Sequence, residues 1–214
     1  MLFNNDVHIN TGSVILNAKI CVPENCKYII IFANADGKYS PRCLSISNYF
    51  NQNNIGTVLF NLLLEKEDSR DSYCRYDIYL LTKRLMAVTK WVQNFPDTKY
   101  FPIVYYATNT GTAAALESAA RLTEICAIVS RDGRPDMTGD SLQDVEAPTL
   151  LIVNTLDHDL LSVNIKAYNL LRCLKDIHVI DNKLILFNES ELNQLIEKKA
   201  SIWFERFAIP IFSE

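Results

Sequence analysis

Histidine is scarce in this chain, with His8, His158 and His178 the only three in 214 residues, each far from the others in sequence or alone in its segment. The six cysteines (Cys21, Cys26, Cys43, Cys74, Cys126, Cys173) are scattered and form no C-x-x-C pair. Zinc-site spacing is therefore absent, and neither a metal nor another cofactor is expected. Several of the cysteines fall in apolar segments, which suits buried reduced thiols. A basic field is also lacking: 21 Lys and Arg stand against 25 Asp and Glu, dispersed along the chain, for a net charge of −4. That balance offers no electrostatic footprint for nucleic acid or an acidic membrane surface. No apolar run approaches the length of a membrane span, and MLFNNDVHIN has no basic segment leading into an apolar one, so a cytoplasmic location is expected.

The hydrophobic share is 49%, and 214 residues suffice for one well-filled core but fall short of two independent ones. A single domain spanning residues 1–214 is expected. No internal repeat or low-complexity segment interrupts it.

The most informative stretch is FPIVYYATNTGTAAALESAA, from Phe101 to Ala120. Pro102 to Tyr106 is β-branched and aromatic, as in a strand buried on both faces of a parallel sheet. Gly111 to Ala120 is rich enough in helix formers to start a helix at once, with Asn109 or Thr110 placed to cap it. Only about five residues separate strand from helix. Read against G-x-S-x-G, the pattern of a nucleophile-bearing strand-to-helix turn, Ala107-Thr108-Asn109-Thr110-Gly111 matches only at its last glycine. An ordinary capped turn is the simpler reading of the pattern alone. Asn nonetheless tolerates the left-handed conformation such a tip requires, so Asn109 preserves the backbone shape while lacking a hydroxyl.

Before this stretch, alternation from Val7 to Val22 predicts two antiparallel edge strands. Tyr28–Phe32 reads as a central strand and Gly56–Leu62 as the next strand, Cys43–Asn51 and Asp77–Val92 as helices, and Glu65–Cys74 as a solvated charged loop. After it come a strand at Ile125–Ser130, a loop from Arg131 to Asp136, and a strand at Thr149–Val153. A helix over Val163–Cys173, a strand at Ile177–Ile180, a loop over 181–188 and a helix over Glu189–Phe207 complete the chain. This alternation predicts a mostly parallel sheet covered by helices on both faces, with functional loops beyond the strands' carboxyl ends.

Five stretches in order, IIIFANADGKYSPR, CRYDIYLLTKRLMAVTKWV, PIVYYATNTGTAAAL, IVSRDGRPDMTGDSL and APTLLIVNTLDHDLL, resemble the dienelactone-hydrolase-like branch of the α/β-hydrolases. The resemblance implies that fold, without a large lid. It aligns Asn109 with the nucleophile serine, Asp157 with the triad acid, and Ile185 with the histidine, and no histidine occurs anywhere in 181–188. Asn34-Ala35 replaces a His-Gly pair in the oxyanion-hole loop, so Asn34, Ala35, Asp36 and Thr110 are expected to line a polar pocket. Arg131 and Arg134 are candidates for recognising a carboxylate or phosphate, against the alternative of an Arg-Asp network that pins a turn. His158, beside Asp157, is read as a loop cap or a solvent-facing group, and His178 as packed.

An unactivated hydroxyl is a poor nucleophile, so loss of both serine and histidine implies a pseudo-hydrolase with a small-molecule-binding or regulatory role. Two alternatives remain open at this level: an active hydrolase of small esters or lactones using unorthodox residues such as Thr108 or Thr110, and an interaction protein whose pocket is filled by Tyr105, Tyr106 or Ile185. Oligomeric state is not legible.

Overall fold

In a computed structural model, residues 2–35, 41–155, 157–180 and 189–208 are described. One eight-stranded sheet in the order β1-β2-β4-β3-β5-β6-β7-β8 forms the frame. The antiparallel edge is the expected pair, β1 (Phe3–Asn10) and β2 (Ile15–Val22), with β2 also antiparallel to β4 (Gly56–Phe60). From β4 onward the pairing is parallel through β3 (Ile29–Ala33), β5 (Ile103–Asn109), β6 (Ile125–Gly133), β7 (Thr149–Asn154) and β8 (Lys175–Ile180). No lid domain interrupts this frame among the described residues.

The central strands are apolar throughout because both faces are covered. Successive side chains alternate between two cores. Ile29, Ile31, Tyr105 and Ile128 face α3 (Ile78–Asn94), α4 (Gly111–Ala119) and α5 (His158–Leu170). Ile30, Phe32, Val104, Tyr106 and Val129 face α1 (Pro41–Gln52) and α6 (Glu189–Ala208), where Phe50 meets Tyr106 edge to face and Phe204 at a tilt. Pleat parity thus decides which layer each strand residue joins.

Three sequence expectations need correction. Glu65–Cys74 is not a loop: α2 (Glu65–Arg70) is followed by a short 3-10 helix, Ser72–Tyr76. Glu67 organises that segment by accepting from the Leu64 amide and receiving both terminal nitrogens of buried Arg84 at 2.7 Å. Charges that looked merely solvated therefore include one end of a partly buried ion pair. Arg131 to Gly133 continues β6 rather than opening a loop, and a kinked 3-10 segment, Pro135–Asp144, follows. Finally, α5 begins five residues earlier than periodicity suggested, because Asp157 caps it through the Leu160 amide.

Two carboxylates give stability opposite dependences on pH. The Arg84 hydrogen bonds hold Glu67 below the usual glutamate range, so its contribution is present above about pH 4.5 and fades as pH falls through the folded-state value. Burial pushes Glu197 on α6 up to about 7, so the folded state keeps a proton that the unfolded chain releases from about pH 4.5, and stability falls between those values. In denaturant titrations, Glu67→Gln is expected to cost about 2–4 kcal/mol at pH 7. Glu197→Gln should remove the decline between pH 4.5 and 7, with a gain on the order of 2 kcal/mol at pH 8.

Candidate functional site

The polypeptide leaves β5 and enters α4 with Thr110 as the single intervening residue, shorter than the five-residue connection expected. Two local features make this possible. Asn109 adopts φ 49°, in the left-handed region where Asn is among the least disfavoured side chains. Gly111 lies directly over the end of β3, where a β-carbon would stand 2.1 Å from the Ala33 carbonyl oxygen. Thr110 occupies the cap position but in helical geometry and without a side-chain cap, which corrects the expected capping role. The Asn109 carbonyl accepts from the Arg134 amide at 2.9 Å, tying this turn to the end of β6.

The turn overlooks a cavity of about 290 Å³ beyond the carboxyl ends of β3, β5 and β6. Its apolar floor is Phe32, Ile46 and Tyr106, and its polar wall includes Asn34, Thr108, Asn109, Arg131 and Asp132. Arg42 and Cys43, from the first turn of α1, close the other side. Tyr106 belongs to the floor of this cavity while Tyr105 points to the opposite face, where its hydroxyl bonds Thr89 at 2.7 Å. Burial raises the pKa of both phenols, so both stay neutral.

Arg131 is 3% exposed and donates through Nη2 to Asn193 Oδ1 on α6 at 2.7 Å. Arg42 donates to the same oxygen at 3.3 Å. Asp132 has φ 47°, and its Oδ1 accepts from the Asn154 amide at 3.2 Å; partial burial raises its carboxyl. Asn34 lines the cavity, directing Nδ2 toward Cys43 Sγ at 3.6 Å, while buried Ala35 follows it without being part of the lining.

Arg134, Asp157, His158 and His178 are not part of the described lining. Arg134 pairs with Asp136 through two hydrogen bonds at 2.9 and 2.7 Å, outside the cavity wall. Asp157 is exposed at the α5 cap, and His158 follows it at the surface. His178 is half-buried on β8. Asp36 and Ile185 fall outside the described residues. Sequence reasoning missed Arg42, Cys43 and Asn193. The only signal for the first two was their position at the start of an amphipathic helix after the β3 loop, and Asn193 gave none. Among the described residues no cluster of His, Cys, Asp and Glu could hold a metal ion, and no helix is long and apolar enough to cross a membrane.

The strand order, the one-residue entry into α4 and the cavity above the strand ends define an α/β-hydrolase fold. No family model matches the chain. It superposes with a TM-score of 0.89 on the dienelactone hydrolase from Anabaena variabilis, with 34% identity over 96% of this chain and 98% of that one. The chain belongs to the dienelactone hydrolase family. An α/β hydrolase, GrgF, from a Penicillium species shares the fold at 11% identity and a TM-score of 0.78, over 96% of this chain and 99% of that one. A Mycobacterium tuberculosis protein provisionally named a phosphoribosyl transferase is 35% identical over 206 residues, 95% of this chain and 46% of that protein. The chain thus spans about half the length of the curated relatives it matches.

The Gly111 contact predicts a sharp asymmetry between neighbouring positions. Gly111→Ala should lower stability by about 2 kcal/mol or more, because backbone rather than a flexible side chain must yield. Asn109→Gly should be neutral or slightly stabilising, and Asn109→Val should cost about 1–2 kcal/mol for a branched residue in the left-handed region. Thermal and denaturant unfolding of the three variants checks the order.

Proposed function

We propose that this chain is a pseudo-hydrolase: a dienelactone-hydrolase-like protein without the nucleophile and base of the family, whose retained pocket serves small-molecule binding or regulation. The observation that carries this reading is the asparagine at the left-handed tip of the strand-to-helix turn, with φ 49°, overlooking the cavity. That is where the fold would present a serine hydroxyl, and an amide side chain is not an acyl-transfer nucleophile. The resemblance aligns Ile185 with the base, and an isoleucine cannot accept a proton. Loss of triad members costs on the order of 10⁴ to 10⁶ in rate, so Asp157 and backbone amides alone would leave only a trace of hydrolysis.

Thr108 lines the cavity and Thr110 is buried beside the turn, yet among the described residues neither has a histidine positioned to activate it. A cavity of about 290 Å³ with Tyr106 in its floor favours ligand binding over a collapsed, purely structural pocket. The phosphoribosyl transferase name belongs to relatives about twice as long as the matched segment.

Hydrolysis of a short activated ester, measured for the natural protein, Asn109→Ser, Ile185→His and the double variant, tests the proposal. The natural protein and both single variants should stay near background, and the double variant should gain about a hundred-fold or more. A saturable rate in the natural protein that Asn109→Ala abolishes would replace this reading with that of an unorthodox enzyme.

A further inference from the structure

Neighbouring helices ordinarily meet through apolar side chains at positions i, i+3, i+4 and i+7. On the outer side of the sheet α1 and α6 are in contact, yet the stripes that border the space between them are polar. On α1 those four positions are Ser45, Asn48, Tyr49 and Gln52, and on α6 they are Ser190, Asn193, Gln194 and Glu197. The apolar residues of both helices, such as Ile46 and Phe50 on α1 and Ile196 and Ala200 on α6, are turned down into the core. A groove of about 640 Å³ is left between the two stripes, and it shares no lining residue with the cavity at the strand-to-helix turn. It follows α1 from Pro41 to Gln52, about 16 Å at the helical rise of about 1.5 Å per residue.

One wall holds a polar group that the described chain leaves unsatisfied. Glu197 is 3% exposed, and its Oε1 is buried without a hydrogen-bond partner. A buried acceptor left unpaired is costly, so a hydroxyl or amide that reaches it from the groove is held more firmly than at an exposed oxygen. The rest of the lining decides the ligand's charge. Glu197 and the Tyr49 phenol are its only ionisable groups. Burial raises the Glu197 carboxyl to about 7 and the Arg42 guanidinium works against that rise, so no strong unbalanced charge is present to select an ion. What remains is a set of neutral groups that each carry both a donor and an acceptor: the carboxamides of Asn48, Gln52 and Gln194 and the hydroxyls of Ser45 and Ser190. Asn193 has its oxygen committed to Arg131 and Arg42 and contributes its amide nitrogen. A vicinal diol presents the same donor and acceptor side by side. Half-buried Tyr49 adds an aromatic ring suited to the C–H surface of a sugar.

We propose that the groove between α1 and α6 is a saccharide-binding site for a short uncharged oligosaccharide, whose hydroxyls pair with Asn48, Gln52 and Gln194, donate to Glu197 and set one sugar ring against Tyr49. The groove is separate from the cavity, so the inference stands whether or not the cavity hydrolyses esters.

Titration calorimetry of the full chain with maltotriose, cellotriose and mannotriose, and with spermidine as a cationic comparison, tests the proposal. At least one of the three sugars should bind with a dissociation constant of roughly 1 mM, the weak affinity of an open polar site. Asn48→Ala and Gln194→Ala, at exposed positions on opposite walls, should each weaken that binding about three-fold or more. Glu197→Leu should weaken it about ten-fold, whereas Glu197→Gln, which keeps an oxygen acceptor, should bind nearly as the natural protein does. The two exposed variants decide the matter if Glu197→Leu folds poorly. No heat of binding from any of the three sugars would overturn the proposal, as would sugar binding that survives both exposed substitutions. Binding of spermidine in place of the sugars would overturn it as well and assign the groove to cations.

Discussion

The contact between Gly111 and the Ala33 carbonyl governs the geometry of everything around it. With no β-carbon at Gly111, the first turn of α4 lies directly on the end of β3, its neighbour strand. That proximity leaves one residue to reverse from β5 into α4, and the reversal is absorbed by the left-handed Asn109. The turn, the cavity beneath it and the approach of β6 through the Asn109–Arg134 backbone bond all follow from a missing methyl group.

Pleat parity then sorts chemistry by face. On β6, Ala127 and Val129 point toward α1 and α6, and Arg131 continues that series to meet Asn193 on α6. Ser130, one residue earlier, points the other way and bonds Thr112 on α4 at 2.9 Å. The same alternation carries Phe32 into Asn34 and Tyr106 into Thr108. Each series is apolar in the sheet and turns polar where the strand ends, so the cavity has its apolar floor below and its polar rim above.

Much of this was legible in the chain. Continuous apolar runs identified the central strands, alternation identified the edge pair, and the small-residue run after Tyr106 identified the strand-to-helix turn with Asn109 at its tip. The resemblance to dienelactone hydrolases supplied the topology that periodicity could not. What escaped depended on partners distant in sequence. Glu67 looked like one more solvated charge because Arg84, the group that orders it, lies 17 residues on in a different helix. Arg131 was placed in a loop because polar character normally ends a strand, and here β6 continues through it to pair with β5 and β7. Asn193 carried no signal at all, since a helix asparagine reads the same in sequence whether or not two arginines converge on it.

The polar wall is also an electrostatic constraint on the last helix. One amide oxygen on α6 receives both Arg131 and Arg42, and it is an uncharged acceptor set between two like charges. One helical turn further along, Glu197 is 3% exposed and held largely uncommitted in charge near neutral pH by a pKa of about 7, raised by burial and partly offset by Arg42. The Asn193 amide thus positions the two cations of the cavity wall without carrying a charge to neutralise them. Asp132 is the one described carboxylate in the lining, and its approach to Arg131 is long. Among the described residues the lining therefore combines fixed donors with more positive than negative groups, and it encloses open volume where a collapsed core would leave none.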